Sequence, residues 1–359
     1  ACHENNRMQD FTYLSPVETD YLKSATWNPL IYGDAPTIAN KIFDALQNLT
    51  PSAQFYEDVK FELFSKLISA AKTTNEIYTF GMLADIMATQ EDLQKFAEKI
   101  KSKKEKKAIL DIVYEWQKNP MQFIKNLKGT AVSMQKLSTG LPAKIVETKN
   151  PTLDLKKAIE TQKIIFCFFP SLKAKESMRQ ISKMILSEIK TIVGEILSTD
   201  KKQKTKFFIV IDEFEEMIFP AIKDLFNKAR EAGINLIIAH QTIADVNYET
   251  GGESFGKSII DNTGTKIIMQ TKSKDTAKYL ADIIGEIQPI PILSKWMTQT
   301  YIVPPEILMG KNELYEQGLD VGEAISKIDG ETYRIKIPFP ERREKIRLGI
   351  DIPYPTFNP

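Results

Sequence analysis

Two hydrophobic periods share this chain. Short unbroken apolar runs, rich in β-branched and aromatic residues, stand at 164–169 (IIFCFF), 207–211 (FFIVI), 235–239 (NLIIA) and 265–270 (TKIIMQ). Runs of that length and kind predict strands covered on both faces, as in a parallel sheet. Between the second and third runs, residues 219–233 put Ile222, Leu225, Phe226 and Ala229 at helical spacing, and Gly233 supplies the stop. A long amphipathic pattern over 174–197 leads into the second run. Together they predict an α/β sheet of at least four buried strands, with a βαβ unit over 207–239.

A different regime precedes it. Residues 11–14 predict a short strand, and Asn28-Pro29 and Gly33-Asp34 are turn pairs. From Pro36 the period is helical, with patterns at 37–46, 56–72, 80–87, 91–99, 108–117 and 120–138; Val59, Leu63, Phe64, Leu67 and Ile68 share one face of the second. No convincing buried-strand run interrupts them, which predicts an all-helical insertion in the α/β domain. Late in the chain, 276–284 reads as a helix ending at Gly285. Residues 322–328 and 332–337 read as a hairpin around Asp329-Gly330, a favoured tight turn. The proline-rich tail at 351–359 cannot build a helix.

Composition narrows the class. The 359 residues are 42% hydrophobic and 26% charged, enough to bury at least two cores. Cys2 and Cys167 are the only cysteines, which argues against a disulfide scaffold and for a reducing compartment; Cys167, inside an apolar run, is expected to be a buried, inert thiol. Forty-eight basic against forty-seven acidic residues leave a formal charge of +1, so whole-chain charge does not announce a nucleic-acid partner. Two clusters are locally basic, 99–107 (KIKSKKEKK) and 201–206 (KKQKTK). Each reads either as a phosphate-backbone contact or as exposed loop lysines serving solubility. No run approaches the length of a bilayer span.

The chemistry concentrates where the run at 207–211 ends in Asp212 and Glu213. Carboxylates at the carboxyl end of a buried parallel strand face the crevice where open α/β sheets bind ligands. There Asp212 is a hard oxygen ligand for the Mg2+ of bound ATP, as in a Walker B strand, and Glu213 is spaced to polarise the attacking water. The competing reading is a solvated acidic patch opening a helix. After the run at 235–239 come His240 and Gln241; Gln241, with both donor and acceptor, is the candidate sensor of the γ-phosphate, and His240 is either a partner in that role or an edge histidine. Arg230, late in the intervening helix, is either an arginine finger for a neighbouring subunit or a cation favoured by the helix dipole.

Residues 251–258 (GGESFGKS) satisfy the phosphate-loop pattern letter for letter. A phosphate loop works only when a buried strand feeds it. Residues 245–250 (DVNYET) are too polar for such a strand and the pattern follows the acids in the chain, so Lys257 and Ser258 are rejected as a site; the stretch is expected to lead into a helix over 258–262. No other phosphate loop is legible and the sequence opens without Met, so a Walker A segment is expected to lie outside these residues. This material alone is expected to hydrolyse ATP poorly.

An ordered set of motifs resembles a known family. Asn28-Pro29-Leu30 with Gly33-Asp34, Phe55-Tyr56, Ile211-Asp212-Glu213-Phe214, Ala229-Arg230 through Gly233 to Gln241, Asn262-Thr263 to Lys266-Ile267, the run from Thr276 to Leu280, Pro304-Pro305-Glu306 and Gly322-Glu323-Ala324 are similar, in order, to those of type IV secretion coupling proteins of the TraG/TraD kind. The resemblance implies a RecA-like P-loop NTPase motor core with an inserted all-α domain. Residues 1–35 would belong to the nucleotide-binding domain, 36–142 to the all-α domain, 143–345 to the rest of the motor, and 346–359 to a tail. It also implies ATP and Mg2+ as ligands, a homo-hexamer, and a place at the cytoplasmic face of the bacterial inner membrane. Its partners would be channel components and a DNA-processing complex or secreted effector proteins, with DNA itself as a cargo. The function expected is ATP-driven delivery of DNA or protein to the channel. The alternatives are a related secretion-assembly ATPase and a noncatalytic recruitment module.

Overall fold

The structure is a computed structural model. It describes residues 5–46, 54–170, 173–199, 205–219, 221–241, 246, 253–286, 301–311 and 316–338. The first three residues, the lysines at 201–204, Gly251 and Gly252, Pro289 and the tail at 351–359 lie outside the described residues. The chain divides into two compact units, Ala1–Gln241 with Val246–Phe255, and Thr242–Asp245 with Gly256–Pro359.

In the first unit, β1 (Phe11–Leu14) pairs in parallel with β2 (Ile164–Cys167), and β3 (Phe207–Ile211) pairs in parallel with β4 (Ile234–Ile238). Helices α1 (Ala35–Leu46), α2 (Gln54–Lys72), α3 (Phe80–Ile86), α4 (Gln90–Lys99), α5 (Lys103–Lys118), α6 (Pro120–Leu137), α7 (Gly140–Val146) and α8 (Leu155–Glu160) lie between β1 and β2. Helix α9 (Lys175–Ser198) joins β2 to β3 and α10 (Ile222–Lys228) joins β3 to β4. The long α9 runs through the middle of this unit, packing on α1 and α10, with Ile181, Met184, Ile189, Ile192 and Val193 buried along it.

Polar side chains tie the chain's crossings together. Asn28 accepts from Leu30 N at 2.9 Å and donates to Tyr78 O and Thr148 O at 2.9 and 2.8 Å, joining three segments. Lys41 of α1 is fully buried; its ammonium donates to Pro29 O at 2.8 Å, to Tyr32 O at 3.1 Å and to the Glu188 carboxylate of α9, which also accepts from Trp27 Nε1 at 3.2 Å. Burial favours the uncharged forms, lowering the Lys41 pKa and raising that of Glu188, while their mutual attraction opposes both shifts.

In the second unit, β5 (Lys266–Met269), β6 (Glu323–Ile328) and β7 (Glu331–Lys336) form an antiparallel sheet in that order. After α11 (Glu253–Asp261), helices α12 (Lys274–Ile284) and α13 (Pro305–Leu308) contribute Ala277, Ala281, Ile284 and Leu308 to a core with Ile268, Leu319 and Ile325. The hairpin turn sits on Asp329-Gly330 with φ of 49° and 88°; a turn positive at both central residues matches strand twist.

Several expectations need correction. The four predicted strands do not join one sheet among the described residues; they divide between two parallel pairs and the antiparallel sheet. Nor is β3 covered on both faces: Ile211 is buried, but Phe208 and Val210 are 58% and 72% exposed. An apolar run fixes the strand but does not say whether its second face is covered. Cys167 is exposed at the end of β2. Helix α5 begins at Lys103, five residues before the expected start, because Ser102 caps it by accepting from Glu105 N at 3.4 Å. Helix α10 is shorter than 219–233, and α7 and α8 lie outside the predicted helical patterns.

Candidate functional site

The site is built on the parallel register of β3 and β4. Phe207 lies opposite Ile234 and Ile211 opposite Ile238, so both strands end at the same edge. Ala239 N donates to Ile211 O at 2.8 Å, and Phe214 N donates back to Ala239 O at 2.9 Å. Asp212 and Glu213 occupy the short arc between those two bonds, and both are exposed. Asp212 Oδ1 accepts from Glu213 N at 3.0 Å. Glu213 itself is left-handed, with φ 51° and ψ 49°, a conformation that costs a non-glycine residue on the order of 1 kcal/mol.

What holds the arc is the segment after it. A 3-10 turn over Phe214–Met217 drives the Phe214 ring fully into the interior, where it meets Phe226 of α10 edge-on at 5.5 Å. Two residues on, Glu216 is gripped by α9: Lys175 Nζ lies 2.8 Å and Arg179 Nε 3.0 Å from its carboxylate, and Arg179 Nε also donates to the Glu216 carbonyl at 3.1 Å. Sequence reasoning did not find Phe226, Lys175, Arg179 or Glu216 as positioning residues. The α9 cations stand more than thirty residues before the acids, and no local spacing signals the contact.

Among the described residues neither Asp212 nor Glu213 has an ion-pair partner, and no group of three or more His, Cys, Asp or Glu could cage a metal. That donor set fits Mg2+ in one manner: as an ion held by one or two carboxylates together with phosphate oxygens brought by a ligand. His240 and Gln241 leave β4 at the same edge and are exposed. Arg230 is not brought there. It lies in the turn after α10, where its carbonyl accepts from Gly233 N at 3.1 Å, and Gly233 O accepts from Phe207 N at the amino end of β3. Five residues of strand, about 16 Å, separate the two ends.

Lys257 is exposed within α11 (Glu253–Asp261). That helix starts earlier than 258. The residues from Glu253 up to Lys257, which a phosphate loop needs as open backbone, are already helical.

Comparison with known proteins gives this geometry a family. The sequence model described as "Type IV secretion-system coupling protein DNA-binding domain" matches residues 12–290. No curated protein sequence matches. The chain is similar to the bacterial conjugative coupling protein TrwBdeltaN70 in its unbound form, with a TM-score of 0.61 at 15% identity, covering 92% of this chain and 74% of that one. It is also similar to the plasmid coupling protein TrwB in complex with ADP and Mg2+, with a TM-score of 0.60 at 13% identity over 94% and 76% of the two chains. VirB4 of Thermoanaerobacter pseudethanolicus follows at a TM-score of 0.50, 14% identity, and 95% and 79% coverage. The fold is therefore the α/β, RecA-like motor fold with an all-α domain that these structures share, and the chain belongs to the type IV secretion-system coupling protein DNA-binding domain family.

Proposed function

We propose that this protein is an ATP-hydrolysing coupling protein that recruits DNA or protein substrates and delivers them to a type IV secretion channel. The observation that carries the reading is the pair of exposed carboxylates, without an ion-pair partner among the described residues, presented together at the carboxyl edge of β3–β4 on an arc clamped from α9 and α10. TrwB, which shares the fold, has been solved with a non-hydrolysable ATP analogue and with ADP and Mg2+.

In this reading Asp212 would hold the Mg2+ of bound ATP, which would supply charge neutralisation for γ-phosphoryl transfer. Glu213 orients and polarises the attacking water. Gln241, at the end of the neighbouring strand, donates to the γ-phosphate and reports its loss. Arg230 lies too far along the strands to serve its own site, and acts on the nucleotide of an adjoining protomer in a homo-hexamer. Residues 36–142 form the all-α domain, which meets the substrate, and the protein works at the cytoplasmic face of the inner membrane. Among the described residues no helix is long and apolar enough to cross a membrane.

DNA-stimulated ATP hydrolysis by the intact protein tests the reading. Stimulated turnover that disappears in Asp212→Ala supports it; turnover unaffected by that change overturns it.

A further inference from the structure

The fold gathers the lysines of 99–107 onto one surface. Lys99 ends α4, Lys101 lies in the link, and Lys103, Lys104, Lys106 and Lys107 occupy the first turns of α5; all but Lys106 are exposed. Among the described residues none of the six forms an ion pair. Lysines elsewhere on neighbouring helices behave differently: Lys95 pairs with Glu91 at 2.8 Å and Lys66 with Glu62 at 2.6 Å. Cations in the first turn also oppose the positive end of their own helix, and Glu105 is the single acid there. Lysines needed only for solubility gain nothing from that position.

The basic start continues as a stripe. At 3.6 residues per turn, Lys103, Lys107, Leu110, Tyr114 and Lys118 fall within a sector of about 80°. The opposite face buries Ile109, Ile112, Val113 and Trp116. Tyr114 is 54% exposed, and Lys118 Nζ lies 4.4 Å from its ring centroid. Asp111 and Glu115 flank the stripe and do not interrupt it. From Lys103 to Lys118 it runs about 22 Å, roughly six nucleotide rises.

We propose that the exposed stripe of α5, with the α4–α5 link, binds the backbone of single-stranded DNA, Tyr114 stacking on a base. Unpaired cations along a line match a regular polyanion, and an exposed ring beside them supplies the stacking plane that single strands use. The inference rests on the coupling role proposed above and names the surface and ligand class that the role leaves open.

The test is fluorescence anisotropy of the intact protein with a labelled oligothymidine, across a salt series and without nucleotide. Removing two phosphate contacts in Lys103→Gln/Lys107→Gln should weaken binding and lower the log–log salt slope by about 1.4, since each single-strand contact contributes about 0.7. Tyr114→Ala should cost about fivefold or more while Tyr114→Phe binds normally. Glutamine keeps good helix propensity, so circular dichroism should be unchanged. The control Lys66→Gln/Lys95→Gln should bind as the parent does. Nucleotide binding by the stripe variants should be intact, which separates failure here from failure of the ATPase reading. Unaltered affinity and slope in the double variant would overturn the proposal. So would equal losses in the control, loss confined to duplex DNA, or DNA binding retained while binding to an acidic polypeptide is lost.

Discussion

Glu213 carries a backbone conformation that its side chain does not favour, and the proposed role gives a reason for a carboxylate at that position. Glu213→Gly should therefore raise folding stability by about 1 kcal/mol in urea denaturation while abolishing ATP turnover. A residue kept for structure would show the opposite, a loss of stability with activity preserved. Phe214, the next residue, has the contrary role. Its buried ring fixes the arc, and Phe214→Ala should cost about 3–5 kcal/mol by the same measurement. The acids were legible in the sequence because two carboxylates abruptly end an apolar run. The clamp on Glu216 was not, because Lys175 and Arg179 reach it from another helix and only the folded chain brings them near.

At the scale of elements, what the sequence revealed is what local chemistry determines. The strand at Phe11–Leu14 and the hairpin around Asp329-Gly330 stand where the patterns put them, since turn geometry and side-chain alternation are local properties. Gly330 has φ of 88°, and a Cβ there would meet nothing within 4 Å. Gly330→Ala should thus cost only its backbone term, about 1 kcal/mol, read as a small fall in the midpoint of denaturation. A cost several times larger would mean that packing constrains the turn. The apolar period places the start of α5 at residue 108 because the lysines before it carry no apolar signal, although Ser102 and Glu105 stand at the spacing of a capping box. The pairing of strands and the covering of their faces were out of reach, since both depend on elements distant in sequence.

At the scale of the whole molecule, the first unit is organised around α9 and the buried Lys41–Glu188 pair, which links it to α1 and to the Trp27–Tyr32 crossing. Removing one partner leaves the other charged and uncompensated in the interior. Glu188→Leu should cost about 3–5 kcal/mol, and pairing it with Lys41→Met should recover much of that loss, as a double-mutant cycle in urea would read. Additive losses would show the two side chains acting independently. That scaffold bears on the proposed function because it carries the helix whose cations hold the segment following Asp212 and Glu213.

In the proposed function these two carboxylates serve a bound nucleoside triphosphate. The most direct measurement is ATP binding beside steady-state hydrolysis for Glu213→Gln in the intact protein. ATP should bind as in the parent and turnover should be lost, because the amide keeps the size of the side chain and removes its basicity. Near-normal turnover would contradict that role.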